Sequence, residues 1–384
     1  MKITAVDAFI LESPYENVAP EGSDEAHGVR HCLLLKVSTD EGLVGWSDIE
    51  TAPHVAAAVV AAPASGAGVF EGLRALVLGE DPFEVERLWD RIYRGTIYYG
   101  RRGAAIQVLS GFDLACHDII GKAVGRPVHK LLGGARRDRV RAYASTLFRS
   151  TPDAMRRACE FYRSRGFTAV KFGWGVFGRD RRQDIRLVEA AREALGPDMD
   201  LLIDPGWMVN RSAHDAIQLC RDLEPYHIFW LEDFLHPECY EGYAAVKAAG
   251  VKTRLAAGEQ EATAWGFHDL ITRGRIDVAQ PDLSRCGGFT HARRIAWEAE
   301  RAGIDVCPHA WLTDLLTAAS LHFNAVLPRS LFLEYNVCDN PMLREIVGNP
   351  LRLDPDGFIP VPQGPGLGIE IDERAVRKFC VGQA

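Results

Sequence analysis

The chain has 384 residues, 47% hydrophobic and 25% charged, with 44 basic against 52 acidic side chains for a formal net charge of −8. That length exceeds one ordinary domain, and the acidic balance excludes a general nucleic-acid surface. An anionic small substrate stays open, because a bound divalent cation reverses the local sign.

The start, Met1-Lys2-Ile3-Thr4, lacks a signal-peptide pattern, and no apolar run approaches membrane-spanning length. Nine cysteines are scattered without a CxxC pair, an odd total that suits reduced thiols. A cytoplasmic protein with no membrane or nucleic-acid partner is expected.

Residues 3 to 12 alternate weakly and read as a strand; Ser13 to His31 is polar and punctuated by Gly and Pro, a loop or flap. Cys32 to Ser38 and Leu43 to Trp46, around Asp40-Glu41-Gly42, read as a hairpin. Thr51 to Gly68 is rich in small residues and leaves helix or loop open. From Pro82 to Gly125 the period is helical, carried first by Phe83, Val85, Leu88, Trp89 and Ile92, then by Ile106, Leu109, Phe112, Leu114, Ala115 and Ile119. Residues 1–135 are thus expected to form an α+β module, with Gly134 to Arg139 as the hinge into a second domain.

Beyond the hinge, short apolar runs end repeatedly on a polar residue. Ile228-Phe229-Trp230-Leu231 stops on Glu232; similar runs stop on Lys171, Asp204, Glu259, Asp282, His309 and Glu334, at intervals of 23 to 33 residues. Each interval holds a loop, a helix and the next strand, the unit of a parallel sheet. Amphipathic spacing predicts helices over Pro152 to Arg165, Arg182 to Leu195, Ala213 to Leu223, Tyr240 to Ala249, Phe267 to Arg273 and Thr290 to Ala302, four of them followed by Gly166, Gly196, Gly250 and Gly303 as stops. With Arg141 to Ser145 as a first strand, the count is eight. The expected fold is α/β, a (β/α)8-type barrel over residues 136–345, whose catalytic residues come from the C-terminal strand ends. The turn-rich segment 346–384 is expected to return to the N-terminal module.

Asp204, Glu232 and Glu259 end three consecutive strands. Neighbouring strands lie about 5 Å apart, so three carboxylates there repel unless a cation sits among them. All-oxygen ligands favour a hard ion such as Mg²⁺. A glycosidase pair of carboxylates would leave the third acid, Lys171 and His309 without work. Lys171 and His309 should flank the trio from opposite sides of the mouth, with Asp282 placed to bond one ring nitrogen of His309 and make the other more basic. A base beside a metal that holds a carboxylate suits removal of the proton α to that carboxylate. Cys307, close to His309, reads as core.

Gly173-Trp174-Gly175-Val176-Phe177-Gly178 matches GxGxxG after a strand, with Asp204 downstream, and would suit an NAD-linked oxidoreductase. Two bulky aromatics inside the loop oppose that reading, because pyrophosphate needs close backbone approach.

Taken together, the chain resembles the mandelate racemase branch of the enolase superfamily from end to end. The barrel carries the resemblance in Val170-Lys171, Ile203-Asp204, Trp230-Leu231-Glu232-Asp233, Gly258-Glu259, Asp282 with Gly287-Gly288, Pro308-His309 and Leu333-Glu334. Ser110-Gly111-Phe112-Asp113-Leu114-Ala115, Leu132-Gly133-Gly134 and Gly364-Pro365-Gly366-Leu367-Gly368 carry it elsewhere. The resemblance implies that the three carboxylates hold Mg²⁺, that His309 with Asp282 is the base, and that a protonated Glu334 donates to the substrate carboxylate. Three positions depart from the family. Its Lys-x-Lys is here Lys171-Phe172-Gly173, its frequent Asn after the first ligand is Gly206, and its acidic-acidic-Pro turn reads Glu232-Asp233-Phe234.

With one basic flank intact and one lost, the resemblance implies a Mg²⁺-dependent dehydratase of an acid sugar, an aldonate or aldarate, giving a 2-keto-3-deoxy acid. Racemisation would need two bases. A cycloisomerase of a lactone or anhydrosugar acid is the near alternative, and a homo-oligomer with a small-molecule substrate is expected. Ser13 to His31 and Thr51 to His54 are the expected lid. Tyr98, Tyr99, Arg101, Arg149, Trp311 and His54 are the candidate substrate contacts.

Overall fold

The computed structural model describes residues 1–15, 28–206 and 212–384. Strands β1 (Ile3–Pro14), β2 (Val29–Thr39) and β3 (Val44–Ile49) form an antiparallel sheet completed on its outer side by β13 (Cys380–Gln383) from the far end of the chain. Part of the expected flap is therefore strand, with Ser13 opposite Arg30 and Glu12 opposite His31. The remainder of that flap, residues 16–27, lies outside the described residues.

The run Cys32-Leu33-Leu34-Leu35 is apolar at every position because this sheet is covered on both faces. Leu33, Leu35 and Val37 join Val6, Ala8 and Ile10 in the core under the N-terminal helices, whereas Cys32 and Leu34 join Leu11 and Trp46 in the core shared with the barrel. Each of the three leucines is fully buried, an environment in which a leucine contributes about 1.5–3 kcal/mol.

The helices of this part are α1 (Pro53–Ala61), α2 (Leu73–Val77), α3 (Val85–Gly95), α4 (Ile97–Gly100), α5 (Ala104–Ala123) and α6 (Val128–Leu131). Helix α1 settles the stretch left open by the small residues; proline at its first position costs no hydrogen bond there. Phe83 does not belong to the helical face expected of it, since it precedes α3 and is 45% exposed.

Eight parallel strands come next: β4 (Arg139–Leu147), β5 (Ala169–Gly173), β6 (Asp200–Asp204), β7 (Trp230–Glu232), β8 (Arg254–Ala257), β9 (Val278–Ala279), β10 (Asp305–Val306) and β11 (Leu333–Asn336). They are ordered β10-β9-β8-β7-β6-β5-β4-β11, with β12 (Phe358–Pro360) antiparallel on β4. The two ends meet where the Cys307 thiol donates to the Phe332 carbonyl at 3.2 Å. One buried cluster takes a single side chain from each strand or its flank: Tyr143, Ala169, Leu202, Trp230, Ala256, Val278, Cys307 and Phe332. That layer is the apolar floor of a filled barrel, and Cys307 is part of it.

Helices α7 (Pro152–Ser164), α8 (Arg181–Leu195), α9 (Ala213–Leu223), α10 (Tyr240–Ala248), α11 (Thr263–Thr272) and α12 (Gly288–Ala302) lie between the strands close to their expected spans. The sequence reading lacks α13 (Asp314–Val326), and the reason is burial. All its residues but the last are buried, between β4 and β11 on one side and β3 and α6 on the other, so it carries no polar stripe. Short α14 (Met342–Glu345) and α15 (Glu373–Phe379) complete the helices.

The N-terminal part docks through the motifs that carried the resemblance. Ser110 accepts from the Gly287 N–H at 2.8 Å, Trp89 donates to the Gly287 carbonyl at 3.0 Å, and Asp113 accepts from Thr290. A Cβ on Gly288 would stand 2.3 Å from the Asp113 carboxylate, so only glycine permits this approach. Asp118 ties the C-terminal segment in, accepting from the N–H groups of Leu367 and Trp46 at 2.9 and 3.1 Å. No helix among the described residues is long and apolar enough to cross a membrane.

Candidate active site

Because side chains alternate across a strand, the residue two places after each floor residue points into the same barrel mouth. Those positions hold Ser145, Lys171, Asp204, Glu232, Gly258, Gln280, His309 and Glu334. One apolar layer thus carries one almost wholly polar layer directly above it.

Register corrects two expected strand ends. Lys171 pairs with Leu202 and lies two residues before the end of β5, and Glu334 lies inside β11 opposite Tyr143. Both therefore sit deep, and they meet: the Lys171 ammonium is 2.9 Å from Glu334, 2.5 Å from Glu232 and 3.7 Å from Asp204. Asp204, Glu232 and Glu259 each offer an oxygen within 4.8 Å of the others, and all three are buried. Hard oxygen donors that close, shielded from water, suit a divalent cation of the Mg²⁺ type.

Electrostatics show the strain of that grouping. Burial pushes the Asp204 carboxyl well up, and the charges of Glu232 and Glu259 push it further, against Lys171. Asp233, at φ +41° just beyond Glu232, is raised by burial and by Glu259. Lys171 goes the other way: burial disfavours its charge, but Glu232, Glu334 and Asp204 hold it well above the usual lysine range. The Trp230 indole donates to the second oxygen of Glu232 at 2.9 Å, and Ser145 donates to Glu334 at 2.7 Å.

His309 and Asp282 meet as expected, with Nδ1 2.7 Å from the Asp282 carboxylate; Nε2 faces Glu259 at 2.9 Å. The free face of the ring therefore points at the acidic trio. Ser284 fixes the other oxygen of Asp282 through its N–H at 2.7 Å and hydroxyl at 2.6 Å. Burial disfavours a charged His309, but Glu259 and Glu334 outweigh it and raise its pKa, a pull that a cation among the carboxylates would relieve; the contact with His309 keeps Glu259 well below the carboxylate range despite its burial. For Glu334, burial is outweighed by Lys171, His309 and the Ala310 N–H at 2.8 Å, which lower its pKa.

Glu50, at the end of β3, is a site residue that sequence reasoning missed. Its carboxylate lies within 4.8 Å of both Asp282 and His309. It is bridged to Arg285 at 3.1 Å and to Arg30, and Arg285 in turn lies 3.9 Å from Glu259 and 4.0 Å from Asp282. Two guanidiniums already neutralise this second acidic group. Only the sheet pairing brings residue 30 beside residue 50, so no local pattern announces the cluster.

The candidate substrate contacts scatter. Trp311 adjoins His309, and its carbonyl accepts from Arg30. Tyr98 is 72% exposed, Arg101 and His54 are exposed, and the Tyr99 hydroxyl donates to the Glu71 carbonyl at 2.6 Å. Arg149 departs from the expectation: it is 1% exposed and donates to the Leu147 carbonyl, Thr146 and Tyr162 on the barrel wall.

The glycine-rich loop after β5 is shaped by the site and not by a dinucleotide. Phe177 is buried and stacked on Phe148, and both oxygens of Asp184 accept from the Gly178 N–H, so this backbone donor is already paired within the chain. The family departures also interlock here. A Cβ on Gly173 would stand 3.0 Å from the Asp204 carboxylate, and one on Gly206 3.1 Å from the Trp174 ring. Trp174 thus packs over the ground that side chains at 206 would need.

The N-terminal domain of the mandelate racemase / muconate lactonizing enzyme family matches residues 15–133, and the enolase C-terminal domain-like family matches residues 153–375. A D-galactarolactone cycloisomerase of Agrobacterium fabrum is 35% identical over 99% of both chains. A D-galactonate dehydratase of Xanthomonas euvesicatoria pv. vesicatoria is 35% identical over 92% of both chains. The crystal structure of the 3,6-anhydro-D-galactonate cycloisomerase from Zobellia galactanivorans superposes with a TM-score of 0.87 at 27% identity over all of both chains. With both of its domains matched in order, this chain belongs to the mandelate racemase / muconate lactonizing enzyme family of the enolase superfamily.

Proposed function

We propose that the protein is a Mg²⁺-dependent acid-sugar dehydratase that removes the proton α to the substrate carboxylate and eliminates the β-hydroxyl, giving a 2-keto-3-deoxy acid. The observation that carries this reading is one ring nitrogen of His309 tied to Asp282 at 2.7 Å while the other faces the acidic trio at 2.9 Å. In the same reading residues 1–135 cap a catalytic barrel of residues 136–345, and residues 346–384 return to the cap.

Asp204, Glu232 and Glu259 would hold the ion, which when bound supplies Lewis-acid polarisation of the substrate carboxylate. His309 takes the C2 proton at Nε2, and Asp282 keeps the Nδ1 proton in place and stabilises the imidazolium that results. Lys171, fully buried and anchored by Glu334 at 2.9 Å, supplies a fixed positive charge opposite the base for the developing enediolate. His309 then returns the proton to the departing C3 hydroxyl, and the enol tautomerises.

A second reading, cycloisomerisation of a sugar-acid lactone, is favoured by one observation. Opposite His309 the position of a second acid is Gly173, and expulsion of a lactone carboxylate needs no proton, whereas expulsion of hydroxide does. Both readings share the first step and differ in product. The test is a panel of aldonates, aldarates and their lactones with Mg²⁺, run beside His309→Asn and in D₂O. Water release with 2-keto acid supports dehydration; conserved mass supports the isomerase. Full turnover by His309→Asn would remove His309 as the base, and exchange of both C2 epimers would demand a second base.

A further inference from the structure

One polar side chain in the layer above the barrel floor, that of Gln280, has been given neither a partner nor a role in the chemistry above. Gln280 follows Val278 by two residues, its N–H continues the ladder to the Ala257 carbonyl, and its side chain is 1% exposed. Both ends of its carboxamide are buried and lack a well-formed hydrogen bond among the described residues. A buried amide left open at both ends is costly, and barrels fill such positions with Val, Ile or Leu when packing alone is at stake. In the polar layer only Gly258, which has no side chain, stands between Gln280 and Glu232, so the carboxamide has open reach toward that carboxylate. Glu232 already has Lys171 on one oxygen and the Trp230 indole on the other.

We propose that Gln280 is a positioning residue of the metal site: its carboxamide, turned onto Glu232, completes the set of donors that fixes the direction in which this carboxylate faces the cation. The inference rests on the metal site proposed above. Partners of metal-ligating carboxylates typically change metal affinity about 10–100-fold when removed.

The test is calorimetric titration of the full chain with MgCl₂ alone, with no sugar present, on wild type, Gln280→Met and Gln280→Asn. Gln280→Met keeps the volume and should weaken Mg²⁺ binding about 10–100-fold, while the Tm of the metal-free protein stays level or rises, because an unpaired buried amide is gone. Gln280→Asn keeps the polarity but withdraws it by one methylene, and should weaken binding as well; it decides the matter if the methionine variant does not fold. Wild-type affinity in either folded variant would overturn the role of Gln280. A wild-type protein that binds no Mg²⁺ would overturn the metal site itself, and a protein that binds Mg²⁺ but turns over no acid sugar would leave Gln280 standing while refuting the proposed reaction.

Discussion

Acid should loosen the junction of barrel, cap and C-terminal segment through one histidine pair. His322 on α13 is fully buried; its Nε2 lies 3.0 Å from the Leu367 carbonyl, and its Nδ1 lies 3.1 Å from Nδ1 of His129 on α6. The carbonyl can only accept, so Nε2 carries the proton and Nδ1 must accept from the His129 N–H. Protonating His322 would set two N–H groups against each other. Burial, with His129 nearby, pushes the His322 pKa down to about 4, and burial lowers His129 too. The folded value is below the unfolded value of about 6.5, so the unfolded chain binds more protons between them. Stability is complete above 6.5 and is lost as pH falls toward 4. For His322 alone the loss is about 2 kcal/mol at pH 5. The assay is urea unfolding at pH 7.5, 6 and 5 on wild type and His322→Gln, whose amide can still donate to Leu367. Other titrations act on both proteins, so the difference in their pH dependence isolates His322. Equal pH dependence in the two would refute the assignment.

Chelation with EDTA should abolish turnover, and added Mg²⁺ should restore it; the fold should survive, since Lys171 and His309 already neutralise part of the acidic group, and circular dichroism with an activity assay reads both. Glu50→Gln leaves two buried guanidiniums on a neutral amide and should cost on the order of 3 kcal/mol, with a fall in kcat as Arg285 is drawn toward Asp282 and Glu259; unchanged unfolding and kcat would show that Glu50 is dispensable. Gly206→Ala, at φ +74° with the Trp174 ring 3.1 Å from the new Cβ, should lower stability by about 1–2 kcal/mol and displace Trp174, measurable as a lower Tm and altered tryptophan emission.

The site was legible to the degree that strands write it. A strand repeats every two residues, so a run of apolar residues that halts on a charge gives both the buried segment and the direction of the final side chain. Asp204 and Glu232 were found this way, and His309 and Asp282 by the same reasoning on neighbouring strands. Depth was not legible, because where a short parallel strand ends is set by its partner's register. Lys171 and Glu334 thus proved to lie two residues inside the barrel, close enough to neutralise one another. Helix α13 was invisible for the opposite reason: with both sides covered it has no polar face, and periodicity needs two environments. Glu50, Arg30 and Arg285 were illegible because their meeting depends on the sheet of one part of the chain docking on the barrel of another. These three also explain a feature of the chemistry that strand ends alone leave open. Around His309, Arg285 lies 3.9 Å from Glu259 and 4.0 Å from Asp282, and Glu50 holds Arg285 in place at 3.1 Å. The docked sheet thereby helps to set the charge around His309, and a barrel carrying every strand-end residue but lacking this sheet would present the same groups with a different balance of charge.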